Sequence, residues 1–353
     1  MKKHSKINIF RRKLTKFITG SIGKSTNSIA DINRIEDFSK IKRILIIRPN
    51  HRLGNMLLIT PLVQEVSEIF PDASIDLFVK GKVATILFKN YSNVENYIIL
   101  PKKHFKKLFN YLKGWAAILT KKYDLVINIS AGSSSGKLAT KFSNGTYKFY
   151  GTEFENSIKF STSQRHFAKF SVYKFRNFIY NTSEEINDKP IKELNLLLSE
   201  KELEKGKEKL NAIINANGKQ TIAIFTYATG DKCYSKDWWM EFYNKLVLHF
   251  PGYNIVEVLP VENVSQIDFI APTFYSKEIR DIAAFISNTK LFIGADSGMM
   301  HLACATRAAV IGLFSVTKKE KYGPYGHLKF GINTNKTSID QSIKKIKKTL
   351  NND

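Results

Sequence analysis

Three segments of this sequence gather polar and charged side chains where an apolar run gives way to a helical pattern. That is the place where α/β proteins hold their ligands. The first is Arg48-Pro-Asn-His-Arg-Leu-Gly-Asn-Met. Gly54 would let a backbone approach a ligand closely, and the helix that follows offers free N–H groups. The segment is neither GxGxxG nor a P-loop, so it signals neither a dinucleotide nor a Walker-type phosphate site. A glycine at such a turn also fits plain turn geometry. The second segment is an apolar run, Leu291–Ala295, leading into Asp296-Ser297-Gly298-Met299-Met300-His301. A polar turn that caps a helix at a sheet's carboxyl edge is an anion site, suited by its N–H groups and dipole to a diphosphate. His301 falls one turn into that helix and could face the same pocket. Two plainer readings stay open: Asp296 as an N-cap, and His301 as a hydrogen-bonded core histidine. The third segment is Thr226-Tyr-Ala-Thr-Gly-Asp-Lys-Cys-Tyr-Ser-Lys-Asp-Trp-Trp. Here Thr229 and Lys236 could reach phosphate oxygens, while Trp238 and Trp239 read as packing.

The elements that must position these segments alternate. Arg43–Arg48 has the β-branched composition of a buried parallel strand, and an amphipathic helix after the Pro49–Gly54 loop ends before Pro71. Further strands are predicted at Ser74–Val79, Asn96–Leu100, Asp124–Ser130 and Tyr147–Tyr150. Residues 152–198 are polar and aromatic with weak periodicity, and read as a bridging region. A helix at about 199–215 precedes a second series. In it come strand Thr221–Tyr227, helix Lys236–Phe250, and strands Asn254–Leu259 and Asp268–Ala271. Helix Lys277–Ser287, strand Lys290–Ala295, helix Ser297–Thr306 and strand Ala309–Phe314 complete it. The pattern predicts an α/β protein with two Rossmann-like domains facing a cleft, at 41–198 and 199–335. Residues 1–40 form a basic leader, and 336–353 a C-terminal amphipathic helix carrying Ile339, Ile343, Ile346 and Leu350.

Composition narrows the partners. Fifty-five Lys+Arg against 31 Asp+Glu give a formal charge of +24, which suits phosphate-bearing ligands or an anionic membrane face. No basic, aromatic-interleaved recognition module is present, so nucleic acid is not expected as a partner. In the leader, Phe10, Leu14, Phe17, Ile18 and Ile22 recur at helical spacing among arginines and lysines. That suits either an interfacial helix on anionic lipid or one packed on the protein's own surface. The leader lacks the apolar run of a secretory signal. The near-apolar stretch Leu291–Phe314 contains Asp296, His301 and Arg307, and Asp or Arg at mid-bilayer costs about 2.5–3.5 kcal/mol, so it reads as core. Cys233 and Cys304 make neither a disulfide framework nor a zinc pattern. A cytoplasmic location is expected, with peripheral attachment to the inner face of the cytoplasmic membrane if the leader binds lipid.

Taken together, the motifs resemble glycosyltransferase family 9, the ADP-heptose:lipopolysaccharide heptosyltransferases. The resemblance rests on RLGNMLLITPLVQEVSEIFPDASIDLFV, YDLVINISAGSSSGKLAT, SKDWW, and LFIGADSGMMHLACATRAAVIGLF followed by KYGPYG, and runs from about residue 42 to 330. It implies the GT-B architecture and inverting transfer of a sugar, heptose from ADP-heptose, to a lipopolysaccharide or other surface-glycan acceptor. It further implies that Thr229 and Lys236 hold the donor diphosphate and that Glu262 meets the ribose. Asp296, Ser297, Gly298, Met299 and His301 would line the donor site, while Arg48, His51, Arg52 and Gly54 would face an anionic acceptor. One departure matters. The family usually carries Gly-Asp where this chain has Gly54-Asn55, and that aspartate is taken as the base. An amide cannot accept a proton at working pH, so catalysis would need another group, with His51 the nearest titratable candidate. The alternative is a catalytically weakened nucleotide-sugar or glycan-binding protein of the same fold. No Asp-x-Asp occurs, so neither an obligatory metal nor another cofactor is expected.

Overall fold

The computed structural model describes residues 35, 37–102, 107–130, 132–151, 161, 164–180, 189–216 and 218–351. The leader pattern from Phe10 to Ile22 lies outside them. The chain divides into two compact units. One holds residues up to 51 together with 61–164 and 168–192; the other holds 52–60, 165–167 and 193 onward.

The first unit is built on a five-stranded sheet of β1 (Arg43–Arg48), β2 (Ser74–Lys80), β3 (Val94–Leu100), β4 (Tyr123–Asn128) and β5 (Gly145–Phe149). The order is β3-β2-β1-β4-β5 and every pairing is parallel. Ile44 to Ile47 of the central strand are fully buried, as a parallel strand covered on both faces requires. Between β1 and β2 the single expected helix is two, α1 (Leu53–Leu57) and α2 (Thr60–Ile69). Next in the chain come α3 (Val83–Leu87), α4 (Leu108–Thr120) and α5 (Ser134–Phe142). The bridging region contains a helix that weak periodicity concealed, α6 (Phe167–Tyr180). Its Arg176 donates from Nε to Glu65 Oε1 at 2.6 Å and from Nη2 to Glu65 Oε2 at 2.9 Å, a buried fork that fastens α6 to α2.

The second unit carries six parallel strands in the order β11-β10-β9-β6-β7-β8. They are β6 (Thr221–Phe225), β7 (Asn254–Val258), β8 (Thr273–Phe274), β9 (Leu291–Ala295), β10 (Ala309–Phe314) and β11 (Lys329–Asn333). The helices are α7 (Glu200–Ile214), α8 (Lys236–His249), α9 (Ile279–Ser287), α10 (Gly298–Cys304), α11 (Lys319–Tyr322) and α12 (Ile339–Asn351). Ser199 and Glu202 form a capping box at the start of α7. Arg280 of α9 then grips Glu202, Nε to Oε1 at 2.6 Å and Nη2 to Oε2 at 2.9 Å. The tail is part of this unit, since Ile343, Ile346 and Leu350 of α12 are buried in its core.

The strand expected at Asp268–Ala271 is absent, and β8 lies just beyond it. Asp268 and Phe269 have φ of 49° and 59°, so the chain turns there, and Ser265 Oγ accepts from Ile267 N and Phe269 N to hold the turn. β11, which the sequence reading does not anticipate, pairs with β10 from Val310↔Lys329 to Phe314↔Asn333.

Candidate active site

Each sheet reverses its strand order at one crevice, and the candidate residues cluster at those two places. In the second unit the reversal falls between β6 and β9. The loop after β6 carries Thr226 to Lys232, and the turn after β9 begins at Asp296. Lys232 Nζ reaches Asp296 Oδ2 at 2.6 Å, and the Thr317 hydroxyl, from the loop after β10, donates to the same oxygen. The Asp296 side chain is only 7% exposed and that of Lys232 is 35% exposed, so a buried carboxylate holds a cation whose surface still meets solvent. Neither Lys232 nor Thr317 stands out in the sequence. Lys232 stood in the right loop, but nothing in its spacing favoured it over Lys236.

Asp296 is therefore not the helix cap. Ser297 is, its hydroxyl accepting from Met300 N at 3.3 Å. Gly298 and Met299 follow on α10, both half-buried. His301 is buried, its N–H bonding the Ser297 carbonyl at 3.4 Å. Burial pushes the imidazole down to about 4, against the pull of Asp296 and with help from His166 and Lys232, so His301 is neutral at pH 7. On its far side it meets α1: a Cβ built on Gly54 would stand 2.6 Å from His301 Cδ2, and one on Gly298 would stand 3.2 Å from Leu53 Cβ. Gly54 is thus a contact glycine, permitting two short helices to touch. Asn55, half-buried on the same turn of α1, is mounted in this unit with it.

Thr229 is exposed, at the N-cap position of a short 3-10 turn over Gly230–Lys232. Lys236 opens α8 and pairs with Asp268, both side chains more than half exposed. Glu262 is exposed in the turn beyond β7. Below them Glu257, fully buried, accepts from Thr226 Oγ1 at 2.5 Å and Ser265 Oγ at 2.7 Å; burial raises its pKa. This network ties the loop after β6 to the loop before β8. Trp239 is core, 0% exposed, and Trp238 stacks on Tyr234 and Phe242, in keeping with the packing role read from sequence. The Tyr-Gly-Pro-Tyr-Gly turn is held by packing and hydrogen bonds. His166 Nε2 bonds the Gly323 carbonyl at 2.8 Å and its ring meets Tyr325 edge-on. Gly326, at φ 122°, leaves the room that Glu193 needs to accept from His327 N and Lys329 Nζ.

In the first unit the reversal falls between β1 and β4. Arg48 ends β1, is buried, and donates from Nη1 to Ser130 Oγ at 3.0 Å. Asn128, fully buried at the end of β4, accepts from Ser130 N and donates to the Tyr150 carbonyl. His51 and Arg52 are exposed in the turn that follows β1, with His51 beside the Gly81 turn at the end of β2. Among the described residues no group of three His, Cys, Asp or Glu side chains is arranged to hold a metal.

The family model for glycosyltransferase family 9 (heptosyltransferase) matches residues 111–351. Lipopolysaccharide heptosyltransferase 3 of Escherichia coli (strain K12) is 25% identical over 302 residues, which cover 77% of this chain and 82% of that protein. The crystal structure of a family 9 glycosyl transferase from Veillonella parvula DSM 2008 superposes with a TM-score of 0.68 at 16% identity, covering 90% of this chain and 99% of that one. E. coli heptosyltransferase WaaC with ADP gives 0.61 at 16% identity, over 87% and 99%. These likenesses bear out the α/β, GT-B fold expected from the motifs.

Proposed function

The chain belongs to glycosyltransferase family 9, and on that premise we propose that it transfers heptose from ADP-heptose to a lipopolysaccharide or other surface-glycan acceptor. The observation that carries this reading is the Lys232–Asp296–Thr317 cluster at the crevice between β6 and β9. A cation fixed by a buried carboxylate at a sheet's switch point is pre-organised for an anion, and needs no reorganisation when charge develops there. The relative from E. coli is a lipopolysaccharide heptosyltransferase, and WaaC is described with ADP, which supports the donor class.

In this reading the donor diphosphate lies over Lys232 and Lys236, with Thr229 beside it and Glu262 at the ribose. Ser297, Gly298 and Met299 line the same site, and neutral His301 backs it. An acceptor hydroxyl, drawn in through Arg48 and Arg52, attacks the anomeric carbon from the face opposite the diphosphate. The new carbon–oxygen bond forms as the bond to the diphosphate breaks, and ADP leaves with the electron pair. Asn55 orients the hydroxyl and His51 takes its proton. The acceptor is a glycolipid, so the chain works on the inner face of the cytoplasmic membrane.

Asn55 supports a second reading, a protein that binds nucleotide sugar or glycan without turnover. Calorimetry with ADP and release of ADP from ADP-heptose in the presence of a truncated glycolipid separate the two. Binding with turnover supports the transferase; binding without turnover supports the second reading; no ADP binding refutes the transferase and leaves only the glycan-binding form of the second reading.

A further inference from the structure

Helix α4 is apolar on two faces but covered on one. Its inner face is fastened to the first sheet: Ile118 is fully buried, Trp115 meets Phe78 edge-on, and a Cβ on Gly114 would lie 2.9 Å from Leu100 Cδ2. At 100° per residue the outer face brings Leu108, Phe109, Leu112, Ala116 and Leu119 into one stripe about 100° wide. Phe109 is 79% exposed, Leu112 57%, Leu108 56% and Leu119 47%. The stripe is set in a cationic stretch, for Pro101 to Lys122 contains seven lysines and no acidic residue, although Lys121 is turned to the sheet and pairs with Asp76 at 2.7 Å.

We propose that this outer face of α4 docks the protein on an anionic lipid bilayer, the leucines and Phe109 entering the headgroup boundary and the lysines meeting the lipid charges. The charge pattern decides the occupant. Protein-binding faces deplete lysine around their apolar centres, whereas interfacial helices combine Phe and Leu on one face with lysine at its margins. A lysine-rich flank without acids is also what a negatively charged leaflet attracts. The inner packing keeps the stripe rigid and outward, so no part of the core is given up on docking. The inference rests on the membrane-face reading above and names the surface that would serve it.

The test is flotation of the full chain with vesicles of phosphatidylcholine containing about one-third phosphatidylglycerol, without donor or acceptor. Two variants accompany it, Phe109→Ser with Leu112→Ser, and Lys107→Glu with Lys113→Glu. Each pair should weaken vesicle binding about tenfold or more, while ADP binding and circular dichroism stay as in the parent. Pure phosphatidylcholine vesicles should bind weakly. Unchanged binding in the Ser pair overturns the proposal, whatever the leader contributes. Equal binding to charged and uncharged vesicles also overturns it, as does a loss of self-association in place of lipid binding. Vesicle binding is read without catalysis, so its failure leaves the transferase reading standing, and failure of transfer leaves this one standing.

Discussion

Replacing Gly54 by alanine measures how closely α1 is seated on α10. The new methyl would stand 2.6 Å from His301 Cδ2 and 3.5 Å from Gly298 Cα. Carbon atoms prefer about 3.5–4.0 Å, so the ring must move by about 1 Å. With His301 only 6% exposed, that shift has to be passed to its neighbours. Overpacking of this kind costs about 1–3 kcal/mol. Against it, alanine in a helix is worth about 0.8–1.0 kcal/mol over glycine. The single variant should therefore lose up to about 2 kcal/mol, and the informative quantity is its coupling to His301. In a His301→Ala background the obstacle is gone and only the helical preference remains, so Gly54→Ala should then stabilise by about 0.5–1 kcal/mol. Urea unfolding of the four proteins at pH 7 yields the cycle. A reversal of sign between the two backgrounds supports the contact. Equal effects within about 0.5 kcal/mol would refute it, and with it the account of how Asn55 is mounted.

Lys232→Ala removes the partner of a buried carboxylate and should cost about 1–3 kcal/mol of stability while weakening ADP binding; unchanged affinity in calorimetry would remove Lys232 from the donor site. Lys236→Ala breaks only an exposed pair, so stability should change by less than about 1 kcal/mol while transfer falls; loss of stability without loss of transfer would assign it a structural role. His51→Ala should lower transfer by about 10²–10⁴, and Asn55→Asp should keep the fold and raise the rate; full activity of His51→Ala would show that the base is elsewhere. Stability should fall as pH drops from about 6.5 towards 4: the unfolded chain binds a proton at its histidine before His301 does, so the contribution is complete above the unfolded value and erodes below it, with a slope of up to about 1.4 kcal/mol per unit. Thermal melts across that range should lose this slope in His301→Gln; a slope that persists would assign it to other groups.

The strands were legible because fully buried parallel strands are written in Ile, Val and Phe, as in Ile44–Ile47 and Leu291–Ile293. The misreading at Asp268–Ala271 has the same source. Ile267 and Ala271 are buried like strand residues, but Ser265 and two left-handed residues fold the segment into a turn that an apolar count cannot see. Helix α6 was hidden because its inward side includes Lys174, Arg176 and Asn177, polar residues whose burial depends on partners such as Glu65, 111 positions away. The candidate site was legible where one segment carries it, at Asp296-Ser297-Gly298. Where two segments meet it was not: Lys232 lies 64 residues from Asp296, and only the order of strands brings them together. The role of Gly54 was likewise invisible, because its reason is a histidine near the other end of the chain.

That last pairing has a consequence for the order in which the molecule can be made. Residues 52–60 are synthesised early, yet the unit they complete is built otherwise from residues 165–167 and from residue 193 onward. During synthesis α1 must wait, tethered to β1, until α10 has left the ribosome. A fragment beginning at residue 193 would hold every strand of the second sheet but would leave Gly298 and His301 facing water on the side where Leu53 and Gly54 belong. Such a fragment should bury His301 less well and titrate nearer to an ordinary histidine. A cut at the bridging region would therefore part residues 52–60 from the unit to which they belong.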